Sequence, residues 1–555
     1  MNEQALKMKV ISSLEKCFYD DDYNEFPKLE NISMLKDEKL SFQVVFCQTA
    51  QENKFFASYK IEGALKDYIT VKQTICVPSA KPVNKINNDY DDNYLRTTPG
   101  LYPDLISDLG YKDRIVVSVE NLRTLWLDVE LPECVEAGEY LTTISLFNGE
   151  TEVASASVTI KVVDNTLAKE TVPHTEWFYT DCIANYYKVD AFSEDHWKLI
   201  ENFLKTARKN GINTILTPIF TPALDTFVGG ERLTTQLVGI TLEDGEYSFD
   251  FSKVDRWVDM CLKLGFQHFE IPHFYTQWGA KHCPKIVANV DGTEKRIFGW
   301  DTDSLSEEYT KFIDFFIPAL ICYFKDKGID DMLIFHVSDE PHLNELDQYN
   351  LTADKIKKHI KGYSMIDAVS EVDVFKRGIL DKPVVINTRM HQFLEAGADQ
   401  AWVYYCLHPT KVATNRFMAM PSARTRILGI QMYKFDIKGF LHWGYNFYNC
   451  QYSYNTVNPY LDTTGDYFAP SGDCFLVYPG DDGIPEESIR LKQMRDAFQD
   501  IRALKKCEEL YGREFVIDLI DEGLEKPLTF LEYPKEAEYI LNLRKKVNAA
   551  IAAKR

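Results

Sequence analysis

The stretch that decides the fold is Met332-Leu333-Ile334-Phe335-His336-Val337-Ser338-Asp339-Glu340-Pro341. A short apolar run that ends in polar residues and proline is typical of a buried strand. Acids directly after such a strand lie where barrel and open α/β enzymes carry their chemistry, at the carboxyl edge of the sheet. Because two adjacent carboxylates repel, one tends to keep its proton while the other ionises. The stretch therefore predicts an acid and an anion in one site, the combination that cleavage of a sugar acetal requires.

Strand-like and helix-like stretches alternate from about residue 170 onward. Eight candidate strands over this length predict a (β/α)8 TIM barrel. The strands are Glu176–Thr180, Asn213–Ile219, His268–Phe274, Met332–Val337, Ser364–Ala368, Val384–Thr388, Ala401–Cys406 and Gly439–Tyr445. Helices are expected at Ser193–Asn210, Ser252–Leu264, Ser306–Asp326 and Leu351–Gly362, a β-hairpin at Gln236–Asp250 with its turn at Asp244-Gly245, and a closing barrel helix at Glu486–Leu504.

The first 165 residues have a different pattern. Leu125–Leu131 and Val158–Val162 alternate apolar and polar residues with period two, and turns rich in Gly, Asn and Asp separate such runs. This pattern predicts a β-sandwich, interrupted by a long polar loop at Pro78–Asp108. The expected domains are thus a β-sandwich over 1–165, a barrel over 166–505 and a helical extension over 506–555.

The composition limits the classes of protein and partner. With 555 residues, 45% of them hydrophobic and 13% aromatic, the chain has enough apolar surface for two or three folded domains. A net charge of −22 argues against nucleic acid or an anionic membrane as a partner. The N-terminus lacks the apolar core of a signal peptide, and the 12 cysteines show no CxxC spacing, so a cytoplasmic protein with reduced thiols is expected.

Several predicted strands end in aromatic, amide, imidazole or carboxylate side chains. Such groups suit a carbohydrate cleft, because the apolar faces of sugar rings stack on aromatic rings while hydroxyl groups bind polar ones. Any one aromatic alone is equally consistent with core packing. The predicted substrate-binding residues are Trp177, Tyr179, Asp181, Glu270, His273, Tyr275, Trp278, His336, Tyr404, Tyr405, Trp443, Tyr445 and Asn446.

Cofactor and metal motifs are missing from the sequence. It contains no GxxxxGK[ST], GxGxxG or GxSxG motif. Histidines and an acid that lie near one another could supply metal ligands, but there is neither HExxH nor an HxH on the first strand. We therefore expect neither a cofactor nor a catalytic metal.

Five stretches together carry a family resemblance. They are Arg96-Thr97-Thr98-Pro99-Gly100-Leu101-Tyr102-Pro103-Asp104, His336-Val337-Ser338-Asp339-Glu340-Pro341, Gly439-Phe440-Leu441-His442-Trp443-Gly444, Leu476-Val477-Tyr478-Pro479-Gly480 and Ser488-Ile489-Arg490-Leu491. The set resembles glycoside hydrolase family 123 and the related domain of unknown function 4091, over most of residues 40 to 505.

The resemblance implies a function for the two acids. Characterised members of the family are β-N-acetylgalactosaminidases that retain configuration with help from the substrate. By this resemblance Glu340 is the general acid/base that protonates the leaving oxygen. Asp339 orients the 2-acetamido group, whose carbonyl oxygen attacks the anomeric carbon. Since that nucleophile belongs to the substrate, the enzyme needs no second carboxylate across the sugar.

Two alternatives stay open from the sequence. In one, Glu270 or Asp181 is an enzyme nucleophile and Glu340 its acid/base, in a glycosidase of another specificity. In the other, the chain binds carbohydrate without hydrolysing it. The sequence does not distinguish exo from endo action, and it leaves the sugar, the linkage and the oligomeric state undetermined.

Overall fold

The computed structural model describes residues 6–48, 54–119, 121–277, 279–341 and 343–554. Its contacts divide the chain into two units. The first unit contains Met1–Thr171, Thr410–Phe435 and Glu486–Arg555, and the second contains Val172–Pro409 and Asp436–Pro485. The helix predicted to close the barrel and the predicted C-terminal extension therefore group with the N-terminal strands.

Ten strands form the N-terminal part of the first unit. They are β1 (Leu6–Ser12), β2 (Asn31–Lys36), β3 (Lys39–Gln48), β4 (Phe55–Glu62), β5 (Ile69–Ser79), β6 (Gly100–Ser107), β7 (Ile115–Val117), β8 (Arg123–Glu130), β9 (Gly138–Asn148) and β10 (Thr151–Thr166). One sheet has the order β1-β3-β8-β5-β6 and the other the order β2-β10-β9-β4-β7. Apolar residues of both sheets, among them Phe42, Leu127 and Ile144, form one buried cluster.

The loop predicted over Pro78–Asp108 is wrong at both ends. Strand β5 continues to Ser79, and β6 begins at Gly100 and pairs antiparallel with it. Polar residues and Pro103 hid this strand from the periodicity. Proline is tolerated there because the register shifts between Ile75 and Cys76, opposite Pro103, and a bulge does not need every ladder hydrogen bond.

The second unit is built on a closed barrel of eight strands. The strands of this unit, in the barrel and outside it, are β11 (His174–Glu176), β12 (Thr214–Leu216), β13 (Gly239–Glu243), β14 (Glu246–Asp250), β15 (His268–Ile271), β16 (Ile286–Val290), β17 (Thr293–Phe298), β18 (Leu333–Phe335), β19 (Ser364–Val369), β20 (Lys382–Ile386), β21 (Trp402–Tyr404), β22 (Phe440–His442) and β23 (Val477–Tyr478). The barrel order is β11-β12-β15-β18-β19-β20-β21-β22, with parallel pairing throughout. All eight predicted strands overlap these barrel strands, so the predicted fold class is confirmed.

The helices of the second unit mostly follow the predicted stretches. They are α1 (Thr180–Tyr187), α2 (Glu194–Lys209), α3 (Ser252–Leu264), α4 (Glu307–Asp326), α5 (Leu346–Lys357), α6 (Val372–Lys376) and α7 (Met390–Glu395). Ser193 and Ser306 cap α2 and α4, since each side chain accepts a backbone N–H of the first turn. Helix α5 begins five residues before the predicted start.

The predicted hairpin is confirmed. Strands β13 and β14 pair around Asp244-Gly245, both with positive φ (49° and 80°), as a tight two-residue hairpin turn requires. The hairpin joins β16 and β17 in a separate sheet of order β14-β13-β16-β17.

The chain returns to the first unit in two segments. These contain α8 (Ser422–Arg426), α9 (Leu428–Lys434), β24 (Glu486–Ser488), α10 (Ile489–Tyr511), α11 (Arg513–Asp521) and α12 (Ala537–Ala553). Their apolar residues pack with Leu14, Leu35 and Val163 of the N-terminal segment in one buried cluster, which explains why the helical tail belongs to this unit. No helix within the described ranges is both long and apolar enough to cross a membrane.

Candidate active site

A cavity of about 210 Å³ opens among the loops that follow the barrel strands. Carboxyl-end loops of a barrel converge on one face, which is where barrel enzymes hold their chemistry. The lining residues lie within β19, β21 and β22, after β11, β12, β15, β18, β21 and β22, and in the chain after Asn449. They are Trp177, Leu224, Asp225, Gln277, Asp339, Glu340, Ala368, Tyr404, Tyr405, Cys406, Leu407, Leu441, Trp443, Gln451, Tyr452 and Phe468.

The two adjacent acids share this cavity. Neighbouring side chains of a regular strand point to opposite faces, so the chain must leave strand geometry for both to line one site. It does so at Glu340, which has φ of 41°. A residue before proline normally prefers extended backbone, so this conformation of Glu340, which precedes Pro341, is uncommon. The Tyr404 hydroxyl donates a hydrogen bond of 2.5 Å to Glu340 Oε1, which helps to hold this uncommon conformation.

The pair holds a proton more tightly than an isolated acid would. Burial raises the pKa of Asp339 well above its usual range, and the negative charge of Glu340 raises it further. Asp225 and Asp367 add to this effect, while His336 opposes it. Asp339 therefore keeps its proton to a higher pH than an isolated aspartic acid.

His336, at the end of the same strand, connects two buried carboxylates. Its Nε2 lies 2.6 Å from Glu270 Oε1 and its Nδ1 lies 3.1 Å from Asp367 Oδ1. Although burial alone would lower it, the hydrogen bonds with Asp367 and Glu270 raise the pKa of His336 to about 9. The ring is therefore an imidazolium at neutral pH, and it neutralises part of the charge below the catalytic pair.

Asp367 fixes the end of β18. Its carboxylate accepts the backbone N–H of Val337 at 3.1 Å and the hydroxyl of Tyr349. These bonds link β18, β19 and α5 directly beneath Asp339. Sequence reasoning missed both acceptor and donor, because Asp367 lies inside its predicted strand and Tyr349 lies before the predicted start of its helix.

Trp177 and Trp443 form two rigid aromatic parts of the cavity wall. Trp177 Nε1 donates to Glu270 Oε1 at 2.7 Å, and the edge of its ring contacts His273. Trp443 Nε1 donates to Asp473 Oδ2 at 2.9 Å. A Cβ on Gly444 would lie 2.7 Å from the backbone oxygen of Asp473, so only glycine permits this approach.

The predicted site residues differ in where they lie relative to the cavity. Trp177, Asp339, Glu340, Tyr404, Tyr405 and Trp443 line the cavity. Glu270, His273 and His336 lie behind it in one hydrogen-bonded and ring-stacked layer, in which the rings of His273 and His336 are 4.4 Å apart. Trp278 lies outside the described residues.

Five predicted binding residues, Tyr179, Asp181, Tyr275, Tyr445 and Asn446, lie away from the cavity. Asp181 forms a buried ion pair with Arg232, with two contacts of 2.8 Å. The hydroxyl groups of Tyr275 and Tyr445 donate to the backbone oxygens of Thr352 and Phe203. Asn446 binds both backbone polar groups of Tyr179. None of these five residues lines the cavity, so their predicted contact with substrate gains no support.

Ten lining residues were not predicted, among them the apolar Leu224, Ala368 and Leu441. Asp225, Gln451, Tyr452 and Phe468 lie in long irregular loops that carry no periodic signal, and Cys406 and Leu407 follow β21 without a distinctive pattern. Gln277 follows the third predicted barrel strand and directly precedes the predicted Trp278. Its polar side chain beside a predicted aromatic was the one available signal.

One group of side chains in the described ranges has the spacing of a metal site, namely His273, His336 and Asp367. The residues fit a metal poorly, because both ring nitrogens of His336 already contact carboxylates. Burial and the charge of His336 lower the pKa of His273, which therefore remains a neutral ring in this layer.

Comparisons with known proteins place this site in a family. A model described as "Glycoside hydrolase 123, catalytic domain" matches residues 177–507. Among solved structures, a family 123 glycoside hydrolase from Clostridium perfringens, studied for glycolipid glycan hydrolysis, aligns with a TM-score of 0.70 at 15% identity. The alignment covers 99% of this chain and 97% of that one.

More distant alignments also occur. A GH5 xyloglucanase from Bacteroides ovatus aligns at 10% identity with a TM-score of 0.30, covering 89% of this chain and 100% of that one. No curated protein matches this chain. Because the family model covers more than half of the sequence, including seven of the eight barrel strands and the acid pair, the chain belongs to glycoside hydrolase family 123.

Proposed function

We propose that this glycoside hydrolase is a retaining exo-β-N-acetylgalactosaminidase-like enzyme that uses substrate-assisted catalysis. Its substrate is then a glycoside of a 2-acetamido sugar. The observation that carries the proposal is the turn at Glu340, which brings two adjacent carboxyl groups to one cavity. The proposal needs no metal and no cofactor.

The two acids would divide the chemistry. Glu340 donates its proton to the leaving oxygen as the bond from that oxygen to the anomeric carbon breaks. The acetamido carbonyl oxygen forms the new bond to the anomeric carbon and gives an oxazolinium ion. The Asp339 carboxylate accepts the acetamido N–H and stabilises the positive charge. A water molecule then attacks the anomeric carbon and gives a proton to Glu340 while the bond from that carbon to the acetamido oxygen breaks, so the acetamido group is regenerated and the configuration is retained.

The raised pKa of Asp339 is consistent with these roles of the two acids. In the empty cavity, burial and the Glu340 charge favour a protonated Asp339. An acetamido N–H is a hydrogen-bond donor to Asp339 and therefore stabilises its charged form. Substrate binding would thus move the proton toward Glu340, where the first step needs it.

Two other carboxylates, those of Glu270 and Asp181, already accept hydrogen bonds within the protein, which also supports the proposal. Glu270 accepts hydrogen bonds from Thr175, Trp177 and His336. Asp181 is held by Arg232 at 2.8 Å. A carboxylate that is fully hydrogen-bonded away from the cavity is a poor nucleophile, which disfavours the alternative with Glu270 or Asp181 in that role.

A hydrolysis screen tests the proposal. Purified protein is given chromogenic β-glycosides with and without the 2-acetamido group, together with Glu340→Gln. Glu243→Gln, in the exposed turn of the β13–β14 hairpin, is the matched control. Cleavage restricted to acetamido sugars and lost only in Glu340→Gln is expected. Equal cleavage of plain hexosides would contradict substrate assistance, and binding of these sugars without any cleavage would favour a carbohydrate-binding protein.

The solved relative suggests which substrates to include. The family 123 enzyme from Clostridium perfringens is described in terms of glycolipid glycan hydrolysis. Glycolipid oligosaccharides that end in β-linked N-acetylgalactosamine therefore belong in the screen beside the chromogenic sugars. Release of the terminal sugar alone would support exo action, and release of a larger fragment would contradict it.

A further inference from the structure

Two acceptor groups in the cavity are left over after the catalytic pair is assigned. Asp225 is half-buried in the loop after β12, and its carboxylate has no hydrogen bond or ion pair within the described ranges. Gln277, in the loop after β15, is only 5% exposed, and its Oε1 has no partner among the same residues. A buried polar atom without a partner is costly in a folded protein, so each such group needs an explanation.

The orientation of the Gln277 amide follows from its neighbour. Its Nε2 donates to the backbone oxygen of Thr226 at 3.0 Å. A flipped amide would place two oxygens against each other, so the nitrogen belongs at Thr226 and Oε1 is the free atom. Since Gln277 lines the cavity, this acceptor is available to a ligand there.

The loop that carries Asp225 is held on both sides. The Ser453 hydroxyl donates to the Asp225 backbone oxygen at 2.7 Å, and Arg232 donates to the Leu224 backbone oxygen at 3.2 Å. The Phe227 N–H donates to the backbone oxygen of Tyr452 at 3.0 Å. The carboxylate is therefore fixed in place before any ligand arrives, as a recognition group should be.

We propose that Asp225 and Gln277 form a hydroxyl-binding pair, whose oxygens accept hydrogen bonds from ring hydroxyl groups of the sugar next to Asp339 and Glu340. Sugar hydroxyls donate hydrogen bonds readily, and a site built to bind a hydroxyl rejects an analogue that lacks it. The inference rests on the proposed function, because it assumes that a sugar occupies this cavity.

The charges of the cavity narrow the class of sugar. Asp225, Asp339 and Glu340 are all acidic, and no lysine or arginine occurs among the described residues that line the cavity. The nearby Arg232 is committed to Asp181. Like charges disfavour a bound carboxylate or sulfate, so the sugar beside the catalytic pair is neutral.

The test uses a substitution that the backbone tolerates. Asp225 has φ of 54°, a conformation that glycine adopts without strain, so Asp225→Gly removes the carboxylate alone. Asp244→Gly is the matched control, because Asp244 has φ of 49° in the exposed hairpin turn. Gln277→Ala removes the second acceptor. Circular dichroism and thermal unfolding verify that each variant is folded.

The measured quantity is kcat/KM on aryl 2-acetamido-β-galactosides, intact and with the 3-, 4- or 6-hydroxyl removed. We expect Asp225→Gly to lower kcat/KM on the intact sugar by about 10- to 150-fold, the range for a hydrogen bond to a charged group. On the one deoxy sugar that lacks the bound hydroxyl, wild type and variant should agree within about threefold. Asp244→Gly should match wild type on every sugar.

Two results would overturn the inference. Equal losses on all four sugars would mean that Asp225 does not recognise a hydroxyl. Complete loss on all of them, with azide restoring turnover and forming a glycosyl azide, would make Asp225 an enzyme nucleophile instead.

The inference and the proposed function fail separately. If the enzyme cleaves plain hexosides instead of acetamido sugars, the same deoxy series is made on the hexoside, and Asp225 is judged by the same pattern. If no sugar is cleaved, calorimetry with free N-acetylgalactosamine and galactose replaces the rate measurement. Weaker binding by Asp225→Gly would then support the inference, and equal or undetectable binding by both proteins would overturn it.

Discussion

Buried carboxylates occur in both units, but their partners differ. In the first unit, Asp104 contacts Arg490 at 2.8 Å, and Asp128 contacts Lys492 at 2.9 Å. In the barrel cavity, Asp339 faces a second acid, Glu340, and its pKa is raised. Burial would also raise the pKa of Asp128, but Lys492 and Arg495 outweigh it and hold that pKa below the usual range.

The difference separates a structural acid from a chemical one. An acid matched by buried cations stays ionised and contributes to stability, and it has no reason to exchange protons near pH 7. An acid placed beside another acid is poised to exchange a proton, at some expense in stability. The residue type is the same in both units, and Asp339 has the raised pKa although it is less buried than Asp128, so the neighbouring charge decides the role.

Glu340→Gln is expected to have the largest effect, because it removes the exchangeable proton from the cavity. Hydrolysis of acetamido glycosides with poor leaving groups should fall by about 10³-fold, within the range for general acid catalysis. The temperature of unfolding should stay close to that of wild type. Steady-state kinetics and calorimetry measure both quantities. Retained turnover of such substrates would remove Glu340 from the proposed role.

Arg490→Met tests the first unit, in which a buried acid is paired with a cation. Removing the cation takes the Arg490 ion pair away from the buried Asp104 carboxylate, which should lower the free energy of unfolding by about 3–5 kcal/mol. Arg377→Met, at an exposed position, is the matched control and should change it little. Urea titration measures the difference. A loss below about 1 kcal/mol in Arg490→Met would show that the first unit does not depend on this pair.

His336 is a buried cation next to carboxylates of the barrel, so its titration sharpens the comparison. Its pKa is about 9 in the folded protein, against about 6.5 in an unfolded chain. The stability it contributes is complete below pH 6.5 and is lost as pH rises through 9, a change of about 3 kcal/mol. Unfolding by urea from pH 6 to 9.5 should show this decline.

A variant identifies the source of that decline. His336→Gln should remove it, and His359→Gln, at a half-buried histidine of the same unit, should retain it. A decline that persists in His336→Gln would mean that another group titrates.

Asp339→Asn is expected to have the smallest effect of the four. The amide keeps the shape of the side chain but loses the negative charge, so hydrolysis of acetamido glycosides should fall by about 10²-fold. Substrates without the acetamido group should be affected less. Parallel kinetics on the two substrate classes measure the contrast. An equal loss on both classes would contradict a role in holding the acetamido group.

Much of the fold was predictable because its signals are local. The eight barrel strands are apolar runs, and all were found, although the structure shortens most of them to three or four residues. The hairpin at Asp244-Gly245 was also predictable, since two adjacent residues that tolerate positive φ mark such a turn. Strand β6 was missed because Pro103 and its polar neighbours conceal its pairing, which only the register with β5 reveals.

The candidate site was predictable in part. Trp177, Tyr404 and Trp443 directly follow or end barrel strands, and each lines the cavity. Tyr275, Tyr445 and Asp181 lie at similar positions along the sequence, but their polar groups bind within the protein. Sequence position gives the strand end and not the direction of the side chain, so the two groups look alike until the fold is known.

The amino-acid sequence by itself determined the barrel, the position of the Asp339-Glu340 pair at a strand end and the family resemblance. These depend on periodicity and on neighbouring residues, which a linear chain displays directly. Only the tertiary structure decided that Glu340 turns into the same cavity as Asp339, that Glu270 and Asp181 are held elsewhere, and that Asp225 joins the site. The physical reason is that pKa, hydrogen-bond occupancy and access to a cavity depend on atoms that are distant in sequence and meet only after folding.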